Sequence, residues 1–336
     1  MEITLAPSFI QGAVSLDVKP DGIHLWRLPV QELPLFQSHC ALSEKLREPA
    51  GIRLRFHSNS PFVELDIAWV EGDHFDRLFD LVVDGKRVAS TSTGENTSTI
   101  RFENLSEDAT QIQEIWMPTG GPLILRGLKV ADGSEFSPVE DQRLRWVTYG
   151  SSITHCHGSF SPSHSWPAMA ARAHNLDLTC LGVGGQCHLD SMMALMIRDL
   201  PADIITLKLG INIYGRGSLN ERSFAPAVVG FVRILREKHP ETPIGLITPI
   251  FGANRETETN AGDMTLENYR EQLRRAYQAL KAHGDNHIFL FEGTELLGES
   301  LAGLLPDNLH PNGEGYEHMG RQAAQNILPE LLADLK

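Results

Sequence analysis

The sequence predicts two domains of different class, an all-β sandwich of jelly-roll type followed by a three-layer α/β/α sandwich with a parallel sheet. The chain has 336 residues, which is long for a single hydrophobic core. Apolar and polar residues alternate in its first part, whereas later apolar runs alternate with amphipathic helical stretches. We therefore place a β-sandwich accessory domain at residues 1–140 and an α/β domain at residues 141–336.

Short strands with a period of two predict the sandwich. Residues 52–57 (IRLRFH) and 63–67 (VELDI) alternate apolar with charged residues, as half-buried strands do. Asp84-Gly85 lies between two extended runs and indicates a β-hairpin. Further strand-like runs follow at the spacing of a sandwich: STIRFENL, IQEIWMP and LILRGLKV.

A polar segment with Gly and Pro, residues 131–143, is the predicted linker. After it, five apolar runs are typical of a parallel sheet covered on both faces: WVTY, LTCLGV, DIITLKL, PIGLIT and HIFLF. Two helices between them are amphipathic, and Thr265 is the expected N-cap of the second. Their apolar faces consist of Phe224, Val228, Phe231 and Leu235 in one helix and Leu266, Tyr269, Leu273 and Leu280 in the other.

Charge and composition exclude several classes of partner. The formal net charge is -14, which repels nucleic acid and anionic membrane surfaces. No run is long enough to cross a bilayer, and the opening MEITLAPSFI lacks the pattern of a secretory signal. We expect reduced thiols in a cytoplasmic protein, because the four cysteines match no zinc pattern: Cys40, Cys156, Cys180 and Cys187.

Four glycine-containing segments should meet at one edge of the parallel sheet. They are GSSIT (150–154), LGVGGQ (181–186), LGINIYG (209–215) and DNLHPNGEGY (307–316). The first three follow predicted strands, and the fourth precedes the last helix. Loops at the carboxyl ends of parallel strands gather along one edge, which is where such sheets place their sites.

Together the four segments supply what acyl-transfer chemistry needs. Ser152 can present a nucleophilic hydroxyl and its own N–H at a strand-to-helix turn. The N–H of Gly185 and the side-chain amide of Asn212 are candidate donors to an oxyanion. His310 can accept the serine proton, and Asp307 can hold the imidazole in one tautomer. Singly, each has an ordinary explanation, since a serine at this position is commonly a helix cap.

In combination, the motifs resemble the SGNH (GDSL-type) hydrolase superfamily, and TPIFGANRETE with MTLENYR resembles a subgroup with an N-terminal β-sandwich. The superfamily blocks read Gly-Asp-Ser, a Gly-rich turn, Gly-x-Asn and Asp-x-x-His-Pro. The resemblance implies a flavodoxin-like sheet, no cofactor and no metal. It also implies that Ser152 is the nucleophile, His310 the base and Asp307 the orienting acid. Gly185, Asn212 and the Ser152 N–H would form the oxyanion hole.

Two positions depart from the superfamily pattern. Ser151 stands where the family usually has Asp, and Ile213 stands where an Asp often follows the block Asn. Neither is the nucleophile or the base, so the implied mechanism is unaffected. The hydrogen bonding around the turn, and any substrate preference of members that keep these acids, do not carry over to this chain.

Other residues near the motifs have competing explanations. His155, Cys156 and His157, with Cys187 and His188, could bind a metal, but their spacing matches no zinc pattern and we expect pocket lining. Cys156 is an alternative nucleophile, placed beyond the turn. Arg255 and Glu256 either shape the pocket entrance or pair on the surface. In the sandwich, three tryptophans either stack on sugar or belong to the core: Trp26, Trp69 and Trp116.

We expect a serine esterase that hydrolyses short acyl esters, such as O-acetyl esters, of a carbohydrate or small metabolite through an acyl-enzyme. One alternative is an acyltransferase that passes the acyl group to an alcohol in secondary-metabolite biosynthesis, because water exclusion depends on pocket shape. Another is an inactive glycan-binding module. The sandwich could also wall one side of the site or mediate assembly into a homo-oligomer.

Overall fold

The computed structural model describes residues 1–37, 41–70, 77–94, 98–107 and 109–335. In these ranges, two antiparallel six-stranded sheets form the first part of the molecule. Their strands are β1 (Glu2–Ile3), β2 (Ile10–Gln11), β3 (Ser15–Lys19), β4 (Gly22–Trp26), β5 (Arg53–Ser58), β6 (Val63–Trp69), β7 (Leu78–Val83), β8 (Lys86–Ser92), β9 (Thr99–Phe102), β10 (Gln111–Trp116), β11 (Leu123–Val130) and β12 (Phe136–Pro138).

These two sheets pack face to face as a β-sandwich, as predicted. One runs β3-β4-β11-β6-β9 with β1 beside β11, and the other runs β12-β5-β10-β7-β8 with β2 beside β5. Apolar side chains from both sheets, such as Phe56 and Leu65, fill the space between them and are fully buried. Asp84 and Gly85 both have positive φ (47° and 77°), as a two-residue type I′ hairpin requires.

A five-stranded parallel sheet forms the second part of the described chain, in the order β14-β13-β15-β16-β17. The predicted α/β sandwich is therefore confirmed. The strands are β13 (Arg145–Gly150), β14 (Asp177–Gly182), β15 (Ile204–Lys208), β16 (Ile244–Ile247) and β17 (Ile288–Phe291). The division proposed at residue 140 falls between β12 and β13 and stays a prediction.

Helices cover both faces of this sheet. They are α3 (Ser152–His155), α4 (Trp166–Ala173), α5 (Ser191–Asp199), α6 (Ile211–Arg216), α7 (Phe224–Leu235), α8 (Leu266–Ala282), α9 (Gly293–Leu296), α10 (Gly313–Gln322) and α11 (Leu328–Ala333), with a π-helical turn (Ala323–Ile327) before α11. Helices α5, α7 and α8 pack in one core and α4, α10 and α11 in the other. Thr265 caps α8 as predicted, because its Oγ1 accepts the Asn268 N–H at 3.2 Å.

Two short helices, α1 (Leu33–Phe36) and α2 (Leu42–Lys45), interrupt the sandwich sequence and were not predicted. None of the helices in the described part of the chain is long and apolar enough to cross a membrane. Three of the four cysteines are buried free thiols, namely Cys156, Cys180 and Cys187, whereas Cys40 lies outside the described residues.

Two buried arginines of the sandwich join it to the edge strand of the parallel sheet. Arg53 donates from Nη1 to the Leu178 carbonyl at 3.0 Å. Arg27 donates from Nη1 to the carbonyls of Cys180 (2.9 Å) and Gly182 (2.7 Å). These three carbonyls belong to alternate residues of β14, on the side away from β13, so the guanidinium groups satisfy acceptors that an open sheet edge would leave unpaired.

The strand predicted at residues 52–57 is present as β5, and its charged face is buried as well as its apolar face. Arg53 is 0% and Arg55 is 7% exposed. The charged face of β5 points to the α/β half rather than to water. Arg55 pairs with Glu114 there at 3.0 Å, and Arg53 pairs with Asp177 beside its carbonyl contact. Carboxylates and a carbonyl beside the guanidinium groups offset part of the cost of burying these two arginines.

We predict that Arg53→Met lowers the free energy of unfolding by roughly 2–5 kcal/mol, because it keeps apolar volume but leaves buried carbonyls without their charged donor. Urea unfolding followed by tryptophan fluorescence measures the change. Arg126→Met, at an exposed position of β11, is the matched control and should shift the transition little. If the Arg53 variant had the same urea midpoint of unfolding as the wild type, the stabilising role of this contact would be contradicted.

Candidate active site

Glycines at the ends of β13 and β14 allow helix α3 to cross close to the sheet. A Cβ on Gly150 would lie 2.2 Å from Oγ1 of Thr154, and one on Gly182 would lie 2.3 Å from the backbone nitrogen of His155. Both distances are too short for any side chain. The strand therefore ends in glycine because α3 begins at once and folds back over the strand ends, which sets the position of Ser152.

The two consecutive serines have different surroundings. Ser151 is buried and caps α3, because its Oγ accepts the N–H of Ile153 at 3.2 Å. Ser152 is the first residue of α3, and its Oγ lies 2.8 Å from Nε2 of His310. The helix-cap explanation thus applies to Ser151, where the superfamily has Asp, and the hydroxyl of Ser152 faces the histidine.

Asp307 holds the other side of the His310 ring. Its Oδ2 lies 2.6 Å from Nδ1 of His310, while its Oδ1 accepts the backbone N–H groups of Leu309 (3.0 Å) and His310 (2.6 Å). Partial burial raises the pKa of Asp307, but the hydrogen bonds from His310 prevail and lower it. An ionised carboxylate at this position keeps the proton on Nδ1 and directs the lone pair of Nε2 to Ser152.

Arg255 contacts the loop that carries Asp307 and His310. It donates from Nη1 to the carbonyl of Asn308 at 2.8 Å. Glu256 instead pairs with Arg270 of α8, a buried arginine, and accepts the N–H of Gly252. The surface pair that the sequence suggested for Arg255 and Glu256 is therefore not formed, and Arg255 supports the loop beside the site.

The predicted oxyanion donors lie in loops that contact each other. Residues 183–186 form a turn closed by a Gln186 N–H to Val183 carbonyl bond of 3.1 Å, with Gly185 at φ 71°. The turn adjoins the nucleophile, because a Cβ on Gly184 would lie 3.8 Å from Cβ of Ser152. Asn212 lies at the start of α6, and its Oδ1 accepts the Cys187 N–H at 3.0 Å. The side-chain amide nitrogen of Asn212 is therefore on the side opposite to this hydrogen bond.

Cys156 is poorly placed to compete as a nucleophile. Its side chain is fully buried, and its Sγ contacts the carbonyl of Ile153 at 3.2 Å. Burial raises the pKa of this thiol well above its usual value, which disfavours the thiolate that attack requires.

The histidines weighed as metal ligands gather with Glu48 rather than with cysteines. Nε2 of His155 lies 3.0 Å and Nε2 of His157 lies 2.9 Å from Oε2 of Glu48. Elsewhere in the described ranges no comparable group of His, Cys, Asp and Glu ligand atoms occurs. Two cations already face the cluster, since Lys45 Nζ is 2.7 Å from Oε1 of Glu48 and Arg27 Nη2 is 3.3 Å from Nε2 of His155. The arrangement is that of an ion-pair network.

Protonation in this cluster follows from burial. Burial, with the nearby His157 and Arg27, lowers the pKa of His155 well below its usual value and keeps the ring neutral. For Glu48, burial raises the pKa, but hydrogen bonds from His155 and His157 prevail and hold it far below the usual range. Glu48 is therefore an ionised acceptor for a neutral imidazole.

Of the three sandwich tryptophans, two are buried. Trp26 is 6% and Trp116 is 2% exposed, so neither has a ring face available for sugar. Trp69 packs against Phe79 in the sandwich. Another residue of the N-terminal part lies beside the glycine turn instead, because Cδ of Lys45 would lie 3.9 Å from a Cβ on Gly184. This favours the hypothesis that the N-terminal part walls one side of the site.

Comparison with known families agrees with the motifs. Residues 144–328 match the family model described as the GDSL-like lipase/acylhydrolase family. The chain belongs to this family. Residues 8–126 match a second family model, the N-terminal domain of SsfX3. No curated protein matches this GDSL-like chain in sequence.

Solved structures share the architecture of this GDSL-like protein over 96–100% of its length. A salicylyl-acyltransferase, SsfX3, from a tetracycline biosynthetic pathway is 27% identical, with 100% of this chain and 99% of that chain covered and a TM-score of 0.89. A putative GDSL-like lipase from Bacteroides ovatus ATCC 8483 is 19% identical, with 96% and 95% covered and a TM-score of 0.77. A family two carbohydrate esterase from Cellvibrio japonicus is 15% identical, with 100% and 99% covered and a TM-score of 0.68.

Family membership makes the GDSL-like chain an SGNH-type enzyme. The inactive glycan-binding module is therefore not supported. The structure joins Ser152, His310 and Asp307 by hydrogen bonds, and it places the loops of Gly185 and Asn212 beside each other. The residues that sequence analysis missed are Lys45 and Glu48, which have no motif and reach the site from about 100 residues upstream of Ser152.

We predict that burial of His155 makes stability depend on pH. The folded pKa lies below the unfolded one, so the unfolded state binds the proton more readily. The stabilising contribution is complete above about pH 6.5 and is lost as the pH falls below it, by about 1.4 kcal/mol per pH unit. The lowered pKa of Glu48 also stabilises the folded state, but this contribution is complete above about pH 4.3. It is therefore constant over the pH range in which His155 is tested.

Urea unfolding of the wild type and of His155→Gln at pH 7.5 and pH 5.5 measures this contribution. Between these values the wild type should lose about 1.4 kcal/mol more than the variant, whose glutamine does not titrate. An equal loss in both proteins would mean that His155 already carries the proton in the folded state.

Proposed function

We propose that this enzyme is a serine esterase that hydrolyses short acyl esters, such as O-acetyl esters, of a carbohydrate or small metabolite. The observation that carries the proposal is the continuous hydrogen-bonded chain from Ser152 Oγ through His310 to Asp307. Nucleophile, base and orienting acid at hydrogen-bonding distance are the arrangement that acyl transfer requires.

In the first step, Oγ of Ser152 attacks the ester carbonyl while its proton passes to Nε2 of His310. A carbon–oxygen bond forms at the carbonyl carbon, and the carbonyl oxygen takes the negative charge. Asp307 stabilises the imidazolium that results. When the tetrahedral intermediate collapses, the alkoxide leaves with the proton from His310, and the acyl group remains on Ser152.

The negative oxygen needs preorganised donors. The Ser152 N–H belongs to the first residue of α3 and has no acceptor within that helix. We assign the N–H of Gly185 and the amide of Asn212 as the other two donors. Contact between their loops through the Cys187 N–H supports this assignment.

In the second step, water attacks the acyl-enzyme and gives its proton to His310, which then protonates Oγ of Ser152. The acid is released and the free serine is restored. The side chains of His310 and Asp307 are 39% and 54% exposed, which supports access of bulk water to the base. Localisation in the cytoplasm and homo-oligomer formation stay predictions from the sequence.

The acyltransferase alternative retains support from two comparisons with the same protein. The 27% identical structure is a salicylyl-acyltransferase, and the N-terminal part matches the N-terminal domain of the same protein. Transfer to an alcohol uses the same acyl-enzyme and the same base. The two functions differ in whether an alcohol or water takes the acyl group from Ser152.

We predict that Ser152→Ala nearly abolishes turnover of a chromogenic short-acyl ester, because it removes the attacking atom. A fluorophosphonate probe should label the wild type at Ser152 and leave the variant unlabelled. Cys156→Ala is the control for the alternative nucleophile and should keep turnover and labelling. Wild-type-like turnover by the Ser152 variant would refute the assignment.

We predict that Asn212→Ala lowers kcat by roughly 10²–10³, the usual cost of one oxyanion donor. Loss of the Oδ1 contact to the Cys187 N–H contributes to the effect. Asn212→Asp keeps that acceptor but removes the amide donor, so its kcat should fall by a similar factor. Retention of wild-type kcat by Asn212→Asp would show that the amide does not stabilise the oxyanion.

We predict that water is the preferred acceptor, because the base is open to solvent. The measurement is product analysis with a short-chain acyl thioester as donor and a panel of sugar and phenolic alcohols at millimolar concentration. Free acid should exceed ester product with every alcohol. Predominant ester formation with one alcohol would instead identify an acyltransferase.

A further inference from the structure

Two histidines outside the Ser152–His310–Asp307 chain contact the glycine turn on either side of the Gly185 N–H. Nδ1 of His155 accepts the N–H of Gly184 at 3.4 Å. Nε2 of His188 lies 3.1 Å from the carbonyl oxygen of Gly185. The peptide that presents the Gly185 N–H therefore lies between two peptides that are each held by a histidine.

Surrounding acceptors fix the tautomer of His155. Its Nε2 faces the Thr119 carbonyl at 2.8 Å and Oε2 of Glu48 at 3.0 Å, and both acceptors lie nearer than the Arg27 Nη2 donor at 3.3 Å, so the proton is on Nε2. The lone pair of Nδ1 is then directed to the Gly184 N–H. The ring is fully buried, and Thr119 and Glu48 both belong to the N-terminal part of the chain.

His188 has the complementary arrangement. Its Nδ1 lies 2.8 Å from Oγ of Ser218, whose hydroxyl can donate to it. Nε2 then carries the proton and donates to the Gly185 carbonyl. One histidine thus accepts from the turn and the other donates to it.

The turn needs such support because it contains two consecutive glycines. Gly185 has φ 71°, and a Cβ placed on it would have no other described atom within 4 Å beyond its chain neighbours. No packing contact on that side therefore restrains the backbone of this residue. Glycine loses more backbone freedom on ordering than any other residue. An oxyanion donor works only if it is already oriented when the charge develops.

We propose that His155 and His188, together termed the histidine clamp, are positioning residues that hold the Gly185 N–H towards the developing oxyanion. This inference rests on the proposed function and assigns a role to histidines that the triad does not use. Because Glu48 and Thr119 set the tautomer of His155, the N-terminal part of the chain takes part in orienting the oxyanion donor.

Two substitutions at His155 separate positioning from structural support. His155→Asn keeps an acceptor at the position of Nδ1 and loses the group at Nε2. His155→Gln keeps a donor near Nε2, towards Glu48 and Thr119, and loses the acceptor for the Gly184 N–H. With a chromogenic short-acyl ester, kcat of the Gln variant should be about 10-fold below that of the Asn variant, with KM within about 2-fold.

The free energy of unfolding, measured with urea, should be higher for the Gln variant than for the Asn variant, because only Gln retains the bonds to buried Glu48. A purely structural role of His155 would instead give the Gln variant the higher kcat. Equal kcat in the two variants would also overturn the role of His155 in the clamp.

The second pair of variants is at His188, which is only partly buried. His188→Ala should lower kcat by about 10-fold at nearly constant KM, and His188→Gln, which keeps a donor near Nε2, should restore most of it. His174→Ala is the matched control, because it removes another partly buried histidine that contacts a backbone carbonyl, that of Ala324 at 2.7 Å. Wild-type kcat in His188→Ala would overturn the clamp.

The proposed function is tested independently by ester turnover and fluorophosphonate labelling of the wild type. If the wild type is active and labelled but the paired variants do not differ, the clamp is wrong and the esterase proposal stands. If the wild type is neither active nor labelled, both proposals fail. Should the His155 variants not fold, the His188 pair decides the question on its own.

Discussion

The position of the active-site loops depends on how the open edge of β14 is covered. Arg53 and Arg27 supply guanidinium donors to alternate carbonyls along this strand, ending at Gly182. The turn that contains Gly185 begins directly after that residue, so the sandwich fixes the strand from which the turn departs. Charged donors to buried carbonyls form stronger hydrogen bonds than neutral ones, which makes this a firm attachment between the two halves.

Close backbone contact is the second constraint on the site. Gly150 and Gly182 leave room for α3 to begin without an intervening loop, and its cap comes from Ser151 rather than from the next serine. Ser152 is consequently held by a single helical turn that packs on two strand ends. A hydroxyl held in this way needs little reorganisation before it attacks.

Local pattern and local chemistry made much of the fold and the site predictable. Parallel strands appear as apolar runs, Asp84-Gly85 has the φ values of its turn, and Thr265 caps the helix that it precedes. The motif residues of the site were identifiable because Ser152, Gly185 and Asn212 follow strands, whereas Asp307 and His310 precede the last helix. Contacts between distant parts of the chain were not predictable, since Arg27 and Cys180 are 153 residues apart. For the same reason the alternation around Arg53 did not indicate that the α/β half covers the charged face of this strand.

The covered edge of β14 also bears on how the two halves can be separated or exchanged. An isolated α/β half would present a bare strand whose carbonyls are spaced for pairing with another polypeptide, which is the usual start of intermolecular sheet growth. A foreign sandwich grafted in front of it would need guanidinium groups at the places of Arg27 and Arg53, and an acid at that of Glu48. The two halves of this chain are therefore matched to each other, and libraries that recombine such enzymes should keep their crossover points out of this boundary.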